Sequence, residues 1–428
     1  MRNKILVIPG AFVPYNDTVT LISYKHLRNI NADFDVVALK GKEDEGLKKS
    51  LLDDNRMSNF SIEYVCDYDA AVATYERKNV LSGIYNLLKY CFYAKKKAKQ
   101  KDYDIVYTSS IPAFTHLAGY WIKKMKGADI IWVASISDPL YKSPYKYDKE
   151  TIKEYNLLAK IGFYVFIWIY MNGYYEKICQ KYADKIIYIC EEERDFCVEH
   201  YKNKEELVKK SMIIPLNYIE EWDIYKSLYL SKRKSKNKPI IVSHFGRVYG
   251  LRKIDNFLIA LKQMKLSNEN LANEIQFFQY GEFNQRYKNQ IEMLELSDLF
   301  VFHDKISYDD VMTLMEESDA LALFDTIMPE NNKQPYLPSK SLEYILLKKP
   351  LLIITTQTSP SYRIFKDLGY EVAKNDVRDI IKSIENLFHN NEYDYDIEKF
   401  ENKNVTLELK KYMEASSKER NQDSRIKD

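Results

Sequence analysis

The chain has 428 residues, enough for two or three domains with sizeable cores. Its 46% hydrophobic and 29% charged residues are those of a globular protein and exclude a disordered or fibrous class. A formal net charge of +2 removes the electrostatic case for nucleic acid, so no such partner is expected.

KILVIP predicts a first strand, closed by a loop at Gly10. This N-terminus lacks the apolar stretch and cleavage site of a secretory leader. A helix through Leu21 and Leu27 and the strand FDVVAL follow. Residues 85–101 predict a long basic helix with Lys89, Lys95, Lys96, Lys97, Lys99 and Lys101. Next come strand DIVYTS, a helix over 112–124, strand DIIWVAS and a helical stretch to Tyr182. Within that stretch 161–175 is the longest apolar run, shorter than the roughly 20 residues of a spanning helix. KIIYIC and MIIPLN complete the first half. The five cysteines form no C-x-x-C pair, which predicts free thiols in a reducing, cytoplasmic setting. Cys190, Cys197 and His200 match no common zinc spacing, and no metal is expected.

Residues 226–238, polar and basic, read as an interdomain linker. The alternation then restarts with strands PIIVSHFG, IQFFQYG, LFVFH, ALALFD and LLIIT, and helices over 253–264, 308–317 and 377–388. A last helix, within about 400–415, is expected to pack back on the first half, and 416–428 to form a disordered tail. Apolar strands alternating with helices imply mainly parallel sheets covered on both faces. The expected fold class is α/β, with two Rossmann-like doubly wound domains, 1–225 and 239–398, facing a central cleft. Ligands of such folds sit at the carboxyl ends of the strands.

Two stretches suggest chemistry there. In SHFGRVYGLRK an apolar strand ends at Gly246, Arg247 follows, and Arg252 and Lys253 stand at the start of the next helix. In LPSKSLEYILLKKPLLII a helix opens at Lys340, with Glu343 one turn on. Cations at helix N-termini oppose the helix dipole unless an anion is shared between them and the backbone N–H groups. A carboxylate at Glu343 suits the two hydroxyls of a ribose. The plainer readings are solvated surface cations and a Lys–Glu surface pair worth about 0.2–0.5 kcal/mol. Two phosphate-ready helix starts point to a diphosphate carrier such as a nucleotide sugar.

The order of these motifs resembles the donor domain of GT-B glycosyltransferases of the retaining family 4 type. In the first half, YTSSIPAFTHLAGYWIKKMKGADIIWVASISDPL, ADKIIYICEEE and MIIPLNYIE are similar to its acceptor domain. The resemblance makes 1–225 the acceptor-binding domain and 239–398 the nucleotide-sugar-binding domain. It implies that Gly10, Gly246, Arg247, Arg252, Lys253, Ser339, Lys340 and Glu343 bind the donor, with Glu343 on its ribose. His116 would sit near the transferred sugar and Asp138 on the acceptor side; as residues alone these read as a packing histidine and an Asp-Pro turn. It implies a metal-independent hexosyltransferase with no cofactor beyond the nucleoside diphosphate sugar. The acceptor would be a glycan, lipid-linked, in cell-surface polysaccharide synthesis (capsule, O-antigen or exopolysaccharide).

One departure concerns the family's E-x7-E pair: Pro335 stands where the first Glu often does, with Glu330 nearby. The alternatives are a nucleotide-sugar 2-epimerase and a non-catalytic GT-B-like binding protein. The basic helix and the aromatic run 161–175 suggest peripheral docking on the inner face of the cytoplasmic membrane.

Overall fold

The computed structural model describes residues 2–15, 18–72, 80–110, 112–147, 170–222, 239–304, 308–329, 332–389 and 393–415. The chain divides into two compact units, Met1–Ile219 with Lys399–Asp428, and Glu220–Glu398. The expected linker 226–238, the expected tail 416–428, Glu330 and residues 161–169 of the apolar run lie outside the described residues.

The first unit is built on β1 (Asn3–Ala11), β2 (Ala32–Lys40), β3 (Phe60–Asp67), β4 (Ile105–Ser109), β5 (Ile131–Ser135), β6 (Lys185–Tyr188) and β7 (Ser211–Ile213). They form one parallel sheet in the order β3-β2-β1-β4-β5-β6-β7. Ile5, Leu6, Val7 and Ile8 are all at 0% exposure, because β1 is covered on both faces and can carry no polar side. The strand order reverses between β1 and β4, the switch point of a doubly wound sheet.

The second unit repeats the plan with β8 (Ile240–Phe245), β9 (Ile275–Tyr280), β10 (Phe300–His303), β11 (Ala320–Phe324), β12 (Leu351–Thr355) and β13 (Ala373–Lys374). Its parallel order is β10-β9-β8-β11-β12-β13. The expected α/β class with two Rossmann-like domains is therefore observed.

Helices fall between the strands, with shifted ends. The basic helix runs Val80–Gln100, the helix expected from residue 112 begins at Thr115, and the one expected from 253 begins at Asp255. β3 and β13 were not foreseen. β3 is an edge strand whose FSIEYVCD leaves polar residues in water, and β13 has only two residues. Among the described residues no helix is long and apolar enough to cross a membrane.

The returning segment, Asn402–Val405 and helical residues 407–415, belongs to the first unit. Asn402 is fully buried where the chain re-enters. Its amide donates to the Lys25 carbonyl (2.7 Å) and to Asn217 Oδ1 (2.8 Å), and accepts from Asn29 Nδ2 (2.8 Å). Beside it the Arg28–Asp54 ion pair (2.9 Å) is almost completely buried, with Tyr24 donating to the same carboxylate.

Candidate functional site

The carboxyl ends of β8, β9 and β11 gather polar groups that the apolar strands exclude elsewhere. β8 ends in His244-Phe245-Gly246. Gly246 has φ +145° and Gly281, after β9, has φ +106°. The two glycines touch backbone to backbone: a Cβ on Gly281 would lie 3.1 Å from the Gly246 carbonyl oxygen. Only glycine fits that turn without strain.

Buried Gln279 fixes the turn from below. Its Nε2 donates to the Gly246 carbonyl (2.8 Å), so its Oε1 faces His244 Nδ1 (2.7 Å). His244 Nδ1 must then carry the proton, and the neutral ring keeps Nε2 as an acceptor. Burial depresses the His244 pKa to about 3, and the Arg252 and Lys340 charges push in the same direction. His244 thus stays uncharged at any physiological pH, with two cations for neighbours.

Arg252 is the central cation. Its guanidinium donates to the Arg247 carbonyl (2.9 Å) and lies 3.9 Å from where a Gly246 Cβ would stand. Its Nε–H is buried and meets no acceptor among the described residues. Its charge also reaches Asp325, directly after β11, and the Tyr344 ring. Asp325 is 1% exposed and accepts from Thr326 N (2.6 Å), Gln334 Nε2 (3.0 Å) and Thr355 Oγ1 (2.8 Å). Burial raises its pKa despite those bonds. Thr355 in turn bonds Ser359, the N-cap of the helix Pro360–Asp367.

The stretch around Lys340 comes to the same place. The helix Ser341–Leu347 docks through buried Tyr344, whose hydroxyl donates to the Ala322 carbonyl of β11 (3.3 Å). Lys340 is its N-cap, in αR conformation with no side-chain cap bond. Ser341 Oγ is buried and meets no partner among the described residues. Glu343 is 9% exposed, on the inner side of this helix, and exposed Ser339 precedes Lys340 in a turn. The fold therefore joins the two stretches that the sequence kept about ninety residues apart.

Some expected site residues are placed differently. Lys253 is exposed and precedes the helix Asp255–Ser267, whose first turn carries Asp255, so the dipole of that helix already has its anion. Arg247 is 66% exposed and reaches out to Glu282 (3.5 Å). His116 is at 0% exposure, bonded through Nδ1 to Thr108 Oγ1 (2.8 Å) beneath β4, and burial lowers its pKa to about 3. Its Nε2 is buried and meets no partner among the described residues. Gly10 is buried with φ +79°, and its N–H is used by Tyr90 Oη (3.2 Å), so its backbone offers no free donor. Asp138 is half-buried after β5. Burial pushes the pKa of the Glu193 carboxyl well up, and the charges of Asp138 and Glu176 add to that. Glu176 accepts from Leu140 N and Tyr141 N (2.8 Å each) and so shapes the Asp138 loop.

His244, Gln279 and Asp325 were not foreseen as site residues. Each is a polar residue interrupting an apolar strand at its carboxyl end, and that interruption was the available signal.

The comparisons with known proteins fit this geometry. Residues 228–403 match the family model Glycosyl transferases group 1. No curated protein sequence matches the chain. Solved structures are similar over nearly the whole length. The apo form of the lipopolysaccharide outer core galactosyltransferase WaaB is 12% identical, with a TM-score of 0.56 over 96% of this chain and 98% of its own. Sucrose-phosphate synthase from Thermosynechococcus elongatus is 12% identical, with 0.58 over 100% and 99%. A trehalose-6-phosphate structure from E. coli bound with UDP-2-fluoro glucose is 8% identical, with 0.55 over 96% of each. The chain has the two-domain GT-B architecture of these glycosyltransferases.

Proposed function

We propose that the chain is a metal-independent, retaining glycosyltransferase that moves a hexose from a nucleoside diphosphate sugar to a glycan acceptor. The observation that carries this is the buried Arg252 Nε–H, which meets no acceptor among the described residues, near the Gly246 turn and with Lys340 acting on the same His244, inside the segment that matches group 1 glycosyl transferases. Buried donors are almost always paired, so this one calls for an oxyanion.

In the reaction the bond from the anomeric carbon to the donor phosphate breaks and a bond to an acceptor hydroxyl forms. The hydroxyl proton passes to the departing phosphate, which accounts for a site without an evident catalytic base. Arg252 and Lys340 offset the charge that develops on the leaving diphosphate, the role a metal would otherwise fill. Glu343 takes the ribose and Asp138 lines the acceptor side. The E. coli structure holding UDP-2-fluoro glucose supports a nucleotide sugar as donor. The likeness to WaaB, a lipopolysaccharide outer core galactosyltransferase, supports a lipid-linked acceptor in cell-surface polysaccharide synthesis.

The test is a thermal-shift panel with UDP, GDP, ADP, dTDP and CMP without metal, on wild type and Arg252→Ala. A ligand at 100 times its Kd stabilises by about 2.7 kcal/mol through mass action. Stabilisation by one diphosphate, lost in the variant, is the expected result. No shift with any nucleotide would remove the donor site. Consumption of donor with no acceptor present would mark a 2-epimerase instead.

A further inference from the structure

Three helices of the first unit, Val80–Gln100, Thr115–Lys126 and Asn172–Tyr182, contribute to one core and cover one face of its sheet. Their outer sides have an unusual composition. They carry five, three and two lysines, and no Asp or Glu except Glu176, which is fully buried. Over the whole chain acids nearly balance bases, 62 to 64. Lys97, Lys123 and Lys126 pair with Glu63, Asp184 and Asp102 at the margins. The other seven form no ion pair with a described residue.

Large apolar side chains stand among these lysines. Leu81 is 81% exposed, Tyr85 67% and Phe92 56%, all on the outward stripe that continues through Lys96 and Lys99. The buried stripe of the same helix is Leu87, Tyr90, Cys91, Ala94 and Ala98. Rings and ammonium groups bridge the helices. Phe92 contacts Trp121 (5.0 Å), Lys95 lies over Trp121 (6.0 Å), and Lys124 lies over Tyr182 (4.5 Å). Tyr174 extends the surface, 47% exposed.

We infer that this three-helix face docks on an anionic lipid bilayer. Lysines without acidic partners select negative charge, and Leu, Phe, Trp and Tyr between them insert at the headgroup level, as on interfacial helices. A second copy of the chain would set ten lysines against ten. The face belongs to the first unit and stands independently of the donor-site reading.

The test is flotation with vesicles of phosphatidylcholine alone and of phosphatidylcholine with an equal part of phosphatidylglycerol. Wild type floats with the anionic vesicles at low salt, is released at high salt as the Debye length shrinks, and ignores the neutral ones. At about 1 kcal/mol per lysine, the Lys95→Glu, Lys96→Glu, Lys99→Glu variant partitions on the order of 100-fold less. Tyr85→Ser with Phe92→Ser, which leaves every lysine in place, also weakens flotation. Both variants keep the wild-type melting temperature and nucleotide response. Absence of flotation, equal flotation with both vesicle types, or a dimer that dissociates in the Phe92 variant would each overturn the proposal.

Discussion

The two units share a parallel Rossmann-like sheet yet put opposite charge at its carboxyl ends. In the second unit Arg252 and Lys340 converge around neutral His244. In the first, Asp138 and Glu176 act on buried Glu193, whose pKa is raised, and lysines with no ion pair among the described residues occupy a helical flank instead. The architecture fixes where a ligand can meet backbone ends; the side chains there decide its charge. Cations and an unpaired guanidinium N–H suit a diphosphate. Carboxylates suit the hydroxyls of a sugar. Lysines spread over helices suit an extended anionic surface.

The comparison requires the first unit to be a stable body closed by its returning segment, and Arg28 is where that is easiest to break. Burial, the largest single influence, raises the Asp54 carboxyl, but the Arg28 charge together with the hydrogen bonds from Tyr24, the Arg56 N–H and Arg28 outweighs it and holds the pKa below the ordinary range. Arg28→Ala strands a buried carboxylate and removes a neighbour of Asn402. It should cost about 3–5 kcal/mol in urea unfolding. A loss under about 1 kcal/mol would mean that the clasp contributes little.

The donor site carries the next largest effect. A charge-assisted hydrogen bond is worth about 1.5–3 kcal/mol, so Arg252→Ala or Lys340→Ala should weaken nucleoside diphosphate binding about 10- to 100-fold by calorimetry. Arg247→Ala should lose less, because that side chain is solvated and engaged by Glu282. Equal losses for all three would place the phosphate nearer the surface than the structure suggests.

Much of this was legible in the sequence, for a physical reason. Strands buried on both faces must be apolar throughout, so KILVIP, DIVYTS and LLIIT announce themselves. β3 did not, because an edge strand half in water reads as mixed polarity. The Lys340 stretch stood out because a cation at a helix start is locally unfavourable. Arg247 and Arg252 look alike in SHFGRVYGLRK; only the turn at Gly246 sends one outward and the other over the strand end. His116 was less legible. Beside an apolar helix face a histidine alone reads as packing, only the resemblance gave it a role near the sugar, and its full burial depends on the tertiary structure.

Near neutral pH the smallest change expected of a single substitution is one of slope, and it concerns the buried charges themselves. His26, His116 and His244 are held near pKa 3 by burial, against about 6.5 when unfolded. Between those values the unfolded chain binds more protons, so each histidine removes about 1.4 kcal/mol of stability per pH unit as pH falls below about 6.5. Above that pH it contributes no slope. Glu193 works the other way: its folded pKa is raised, so the folded first unit holds the extra proton and gains stability as pH falls towards about 4.5. Wild type should therefore soften in acid less than its histidines alone require. Two substitutions separate the terms in urea midpoints measured at successive pH values from 7.5 to 5. His116→Gln should flatten the loss, and Glu193→Gln, which keeps an acceptor for the Ile189 N–H, should steepen it. Slopes that move together would mean that one of the two groups is solvated, and with it that the acidic strand ends of the first unit are open to water and not sealed by the fold.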